Sequence, residues 1–184
     1  MKKFIAGVIV TVVCIIGGAY AFIAGGFAPV ATSSSPLPFE KQLAGMAVNA
    51  RMQKELPKTV PIEANEANYL AGAHEYLTNC AVCHGVPGKE KTAIAAGEFP
   101  APPQLFHGKG VTDDPPEETY WKVANGIRLT GMPGFNKSLS ETQMWQISLL
   151  LAKADKLPNS VIAVLAGQPG TPDATPVAVP PPSK

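Results

Sequence analysis

The chain has 184 residues, which as a prior suits one domain with extensions at its ends. Its formal net charge is +1, so no overall field argues for nucleic acid or an acidic substrate. Of its 3 cysteines, Cys80 and Cys83 lie too close together to belong to a disulfide framework.

Met1-Lys2-Lys3 is a short basic start, and no charged residue follows from Phe4 to Ala28. About 20 residues of helix cross a bilayer core. Residues 1–28 are therefore expected to form a signal-anchor transmembrane helix. A secretory signal cleaved at Ala19-Tyr20-Ala21 is the alternative. The apolar run continues through Phe22, Ile23 and Phe27, which favours the anchor. Lys2 and Lys3 place the N-terminus in the cytoplasm and everything after about Pro29 outside it. Cys14 reads as a small apolar residue of this helix.

Residues 29–64 read as a linker carrying one helix over 39–56. Phe39, Leu43, Met46, Ala47 and Ala50 share a face by their spacing. That face is expected to pack on the domain or to lie at the membrane surface. Pro57 and Pro61 then interrupt regular structure. The domain is expected over 65–166. It opens with a helix over 66–79, capped by Asn65, with Leu70, Ala73 and Leu77 on one face and Gly72 and Tyr76 beside them. A long loop over 86–110 contains Pro87, Pro100, Pro102 and Pro103.

A helix over 115–125 should start with Pro115 at its first position and with Asp114 and Glu117 as a capping box, and stop at Gly126. A loop over 127–136 holds Gly131-Met132-Pro133-Gly134. The last strong helix runs over 141–154 behind a second capping box, Ser140 with Gln143. Met144, Ile147 and Leu151 form its apolar stripe, extended by Trp145 and Leu149. One more short helix is expected over 158–165. The Pro-rich residues 167–184 are expected to be disordered. No strand pattern appears, so the fold class is all-α.

The chemistry concentrates at Cys80-Ala81-Val82-Cys83-His84. Two thiols three positions apart can add to the two vinyl groups of one haem, and the next residue, a histidine, reaches the iron. A thioredoxin-like pair would sit at a strand-to-helix junction, but a helix precedes these cysteines. A zinc site would need about four ligands, and no second cysteine pair exists. A disulfide across two residues would leave His84 unexplained. The pattern therefore predicts one covalently attached haem c.

Met132 is the candidate sixth ligand, because a loop bounded by Gly131 and Pro133 can present its thioether from the far side of the ring. Methionine more usually fills a core, but core methionines sit on helix faces, as Met144 does. His107 and an open sixth site are the competitors. His74, on the helix face away from Leu70, reads as solvated.

The segments Gly72–Gly85 and Asn125–Phe135 resemble the first helix with its haem-binding site and the distal methionine loop of class I cytochromes c. Trp145 resembles the aromatic of their last helix. The likeness covers about Asn65 to Lys156 and is nearest to membrane-anchored, single-haem bacterial members with a proline-rich loop, here Pro100–Leu105. The resemblance implies a small all-α class I cytochrome c fold around one haem c. In it, the first and last helices cross at Gly72, and Tyr76 and Trp145 fill the contact. It also implies that a carbonyl of Pro102 or Pro103 accepts from the second ring nitrogen of His84. Trp121 and Arg128 would lie near the haem propionates, against the plainer readings of a core residue and a solvated charge.

With both axial positions filled, the iron offers no place to a substrate. The expectation is an electron carrier rather than an enzyme: a membrane-anchored, single-haem c-type cytochrome. It would pass one electron at a time between respiratory-chain partners on the periplasmic, extracytoplasmic side of the cytoplasmic membrane. Its partners would be the membrane, through the N-terminal helix, and redox proteins such as a quinol-oxidising complex or a terminal oxidase. A haem c subunit of a larger dehydrogenase or reductase complex, and a gas-binding haem protein with an open sixth site, remain as alternatives.

Overall fold

A computed structural model of the chain describes residues 1–106 and 114–167. His107 and the expected Pro-rich tail beyond Gly167 lie outside the described residues. Among the described residues the only regular elements are helices: α1 (Lys2–Ala24), α2 (Glu40–Glu55), α3 (Glu66–Asn79), α4 (Ala81–His84), α5 (Ala93–Gly97), α6 (Pro116–Asn125), α7 (Glu141–Leu151) and α8 (Asn159–Leu165). Contacts divide the chain into two compact units, Met1–Gly45 and Met46–Lys184.

In the first unit, α1 has 23 residues and is long and apolar enough to cross a membrane. It stops at Gly25, with Gly26 in a left-handed turn at φ 77°. Phe39 also has a positive φ, 63°, and so lies outside α2, which begins at Glu40.

In the second unit, α2 buries a side other than the one its apolar spacing indicates. Met46, Ala47 and Ala50 are exposed, while Met52 is 2 % exposed and Val48 is half-buried. The side that packs is tied by polar contacts to α6: Trp121 Nε1 donates to Glu55 Oε2 at 3.1 Å, and Gln53 Nε2 donates to Glu118 Oε1 at 3.0 Å. Hydrophobic periodicity cannot register a face held mainly by hydrogen bonds.

The core forms where α3 crosses α7, with α6 and α8 packed beside them. A Cβ at Gly72 would collide with the main-chain carbonyl of Gln146, so only glycine admits this approach. The crossing decides what α3 buries: Tyr69, Gly72, Ala73 and Tyr76 are buried, whereas Leu70 and Leu77 are half-buried. Asn65 caps α3, its side chain accepting from Asn68 N–H at 3.0 Å. Ser140 and Gln143 form the capping box of α7. Trp145, 1 % exposed, stacks on Tyr120 of α6 at 4.1 Å between ring centroids.

Two local expectations are corrected. The capping box at Asp114 does not form, because α6 starts at Pro116 and the cap position falls on Pro115, which has no side-chain acceptor. Asp114 instead accepts from Lys122 Nζ at 2.5 Å. The loop over 86–110 also contains α5, capped by Thr92 and anchored by the fully buried Ala95.

Candidate functional site

The cysteine motif sits on a single turn that the end of α3 creates. Cys80 leaves helical geometry (φ −122°, ψ −35°) and closes α3, its N–H donating to Tyr76 O at 2.8 Å. The Cys80 carbonyl then accepts from both Cys83 N–H (3.1 Å) and His84 N–H (2.9 Å), which makes α4 a tight turn of four residues. This turn brings both sulfurs and the imidazole to the wall of one cleft. Gly85 (φ 72°) lets the chain leave it, and the buried Tyr76 hydroxyl donates to Gly85 O at 2.7 Å.

The proline-rich loop is strapped to that turn. Leu105 N–H donates to His84 O at 3.1 Å, and Gln104 Nε2 donates to Cys83 O at 2.9 Å. The Pro103 carbonyl lies 2.9 Å from His84 Nδ1. A carbonyl can only accept, so Nδ1 carries the proton and Nε2 keeps its lone pair, the tautomer suited to an axial metal ligand.

A further part of the cleft wall comes from the loop after α6. Thr130 Oγ1 donates to Ile127 O (2.7 Å) and accepts from Met132 N–H (3.1 Å), while Met132 O accepts from Ile127 N–H (3.1 Å). Phe135 N–H donates to Val123 O at 2.9 Å, which ties the loop to α6. Gly126 and Gly134 allow the two backbones to meet; a Cβ on Gly126 would lie 2.5 Å from Gly134 N. Met132 lines the same cleft as Cys80, Cys83 and His84.

The cleft has a water-accessible volume of about 290 Å³ and opens to solvent. Ile147 and Leu151 of α7 and Val123 of α6 also face it. Pro103 is at the cleft, but Trp121 and Arg128 are not brought to it. Trp121 is buried with its N–H committed to Glu55, and Arg128 is exposed on the loop. Lys122 is a basic side chain that does line the cleft. Sequence reasoning missed Lys122, Gln104, Thr130 and Glu98. Glu98 lines the cleft and accepts from Cys83 Sγ at 3.2 Å. Thr130 and Gln104 lie in the segments that carry the family likeness, whereas Lys122 and Glu98 have no motif around them.

Both thiols are held neutral. Burial, with the charges of Glu75 and Cys83 adding to it, pushes Cys80 up to about 12 from 9.0. Burial and the hydrogen bond and charge of Glu98 raise Cys83 as well. A reactive redox pair needs a lowered thiol pKa, and these are displaced the other way. Among the described residues, no group of three or more His, Cys, Asp and Glu side chains is arranged to hold a bare metal ion. The three motif side chains thus line a surface instead of surrounding a point. Because the folded pKa of Cys80 is raised, its contribution to stability is intact below about pH 9 and is lost as pH rises toward about 12. In the haem-free chain, iodoacetamide at pH 8 should alkylate Cys80 at least about ten-fold more slowly in the folded than in the unfolded protein, as its thiolate fraction falls. Equal rates would contradict this environment.

A family model described as cytochrome c oxidase, cbb3-type, subunit III matches residues 67–149. Residues 67–149 thus match a family of class I cytochromes c. The match runs from α3 through most of α7, and so contains the attachment turn, the proline-rich loop and the Met132 loop in one segment. A cytochrome c domain implies haem c and electron transfer. No curated protein matches the chain. Among solved structures, a chain of the Kuenenia stuttgartiensis reducing HAO-like protein complex is similar at 27% identity, covering 54% of this chain, with a TM-score of 0.45. The match spans 50% of that chain's length. The largely apolar cleft, with Cys80, Cys83, His84 and Met132 in its lining, fits a flat, largely apolar group.

Proposed function

We propose that this chain is a membrane-anchored cytochrome c that carries one electron at a time, with a single haem attached through Cys80 and Cys83. When bound, the haem supplies the one-electron chemistry of its iron. In this reading His84 Nε2 and the Met132 thioether are the axial ligands. The Pro103 carbonyl orients His84 and strengthens it as a ligand. Thr130 and the Ile127–Met132 hydrogen bonds hold the thioether loop in place, while Ile147, Leu151 and Val123 keep water out. Lys122, paired with Asp114, is a basic side chain at the cleft, while the propionate roles of Trp121 and Arg128 rest on the family likeness alone. The observation that carries the reading is the Nδ1–carbonyl contact at His84, in a cleft that Met132 also lines.

By its length and apolar composition, α1 supports the anchor, so residues 1–28 are read as the membrane span, followed by a linker and a domain from about Asn65 to Ala166. Lys2 and Lys3 favour a cytoplasmic N-terminus, with the haem domain on the periplasmic side facing respiratory-chain partners, a quinol-oxidising complex or a terminal oxidase. The alternative, a haem c subunit of a larger oxidoreductase complex, would differ in co-purifying with a catalytic subunit.

A carrier with both ligands in place should be inert to carbon monoxide when reduced and should resist alkaline extraction from membranes. Carbon monoxide binding by the reduced native protein would instead support a ligand-binding haem, and release by alkali would refute the anchor.

A further inference from the structure

From Leu37 to Cys80, the large apolar side chains left exposed are Leu37 (46%), Phe39 (71%), Leu43 (62%) and Met46 (68%). All four belong to the turn that starts α2 or to its first two turns. At about 3.6 residues per turn, Leu43, Met46 and Ala50 share one side of the helix. Val48 and Met52, its sheltered positions, lie on the opposite side. So α2 turns one side inward and offers an apolar stripe to its surroundings.

The start of the helix extends the stripe. Glu40 N–H donates to Leu37 O at 3.1 Å, and Glu40 Oε2 accepts from Leu37 N–H at 2.8 Å, closing a turn around Pro38 and Phe39. The turn holds Phe39 at φ 63°, a conformation that bulky residues rarely adopt. Its ring gains no burial within the chain to offset that strain. Strain of this kind clusters where function needs it.

Covalent continuity says what lies nearby. The apolar helix α1 ends at Ala24, and the 14 residues Gly25–Pro38 are all that separate it from Phe39. Fully extended, they would span at most about 50 Å. The turns at Ala31–Ser34 and Leu37–Glu40 shorten that reach. Lys41, Arg51 and Lys54 outnumber Glu40 and Glu55 on α2, so no negative excess repels headgroup phosphates. Lys54 falls one turn beyond Ala50, on the stripe side, where its stem can lie along lipid while its ammonium stays in water.

We propose that Leu37, Phe39, Leu43 and Met46 lie in the surface of the lipid bilayer that α1 crosses, with α2 parallel to that surface. This rests on the anchor reading above. So short a stripe on a free helix would hold lipid only weakly. The span keeps it at high effective concentration beside the bilayer, so a marginal affinity suffices. The domain that shelters Met52 is thereby kept next to the membrane. It meets partners embedded there instead of ranging over the full length of the linker.

The test uses full-length, haem-loaded protein carrying one nitroxide spin label, in phosphatidylcholine vesicles. Collisions with oxygen, which concentrates in lipid, are compared with collisions with a nickel chelate confined to water. Cys80 and Cys83 are consumed by the haem, so Cys14 is the native labelling site, and it reports on the span. In a Cys14→Ser background, Leu43→Cys and Met46→Cys put the label on the stripe, and Lys41→Cys puts it on the other side of α2. The two stripe labels should show an oxygen-to-nickel ratio at least about five-fold above that of the Lys41→Cys label. The ratio should hold between about 20 mM and about 500 mM salt, because apolar burial drives the contact.

A Cys14 label that meets the nickel chelate freely would overturn the anchor reading and the proposal with it. A Cys14 label in lipid, with stripe labels as open to nickel as the Lys41→Cys label, would overturn the proposal alone. Stripe labels shielded from both colliders, with dipolar broadening that disappears on dilution with unlabelled protein, would assign the stripe to a second copy and so overturn it too.

Discussion

Replacing Met132 with alanine is expected to convert a carbon-monoxide-inert protein into one that binds carbon monoxide when reduced. Its midpoint potential should fall by on the order of 0.1 V, a fraction of the roughly 0.8 V over which axial ligation sets haem potentials. The change should be local. The loop is held by main-chain and Thr130 hydrogen bonds, by the tie from Phe135 to Val123, and by the close meeting of Gly126 with Gly134. None of these uses the Met132 side chain. The α-helical circular dichroism and the covalent haem should therefore survive while the sixth position opens. Titration with carbon monoxide and a redox titration of the same sample check both parts. A Met132→Ala protein that still ignores carbon monoxide would show that another group holds the sixth position.

The second large effect concerns the crossing of α3 and α7. In an exposed helix, glycine to alanine stabilises by about 1 kcal/mol. At Gly72 the sign should reverse, because the added carbon would meet the Gln146 carbonyl, which is backbone and cannot rotate away. Overpacking of this kind typically costs 1–3 kcal/mol. Gly72→Ala should therefore lose about 1 kcal/mol net, and Gly72→Val more. Gly45→Ala in α2, where a Cβ would meet nothing within 4 Å, should be neutral or slightly stabilising. Urea denaturation of the three variants against the native protein separates the cases. A Gly72→Ala midpoint at or above the native one would mean the helices cross elsewhere.

Much of this was legible in the sequence because it depends on local rules. The caps at Asn65 and at Ser140 with Gln143 are satisfied within a few residues, and both form as their spacing indicates. The attachment turn is likewise five consecutive residues. What the sequence concealed depends on neighbours far along the chain. The side of α2 that packs is chosen by Trp121 and Glu118, more than sixty residues away, through hydrogen bonds that leave no apolar period. The family likeness puts Trp121 near the propionates, and nothing in the sequence signals that its N–H donates to Glu55. Lys122, one turn before the end of α6, lines the cleft without any motif to mark it. Asp114 failed as a cap through a shift of one residue in the helix start, within the ordinary uncertainty of helix ends.

The claim on which everything else depends is the thioether-bound haem at Cys80 and Cys83. The most direct measurement is a haem-peroxidase stain of the full-length protein after a denaturing gel, for the native chain and for Cys80→Ser/Cys83→Ser. A covalently held haem travels with the polypeptide, so the native band should stain and the double variant should not. An unstained native band, or a double variant that stains equally, would contradict the account.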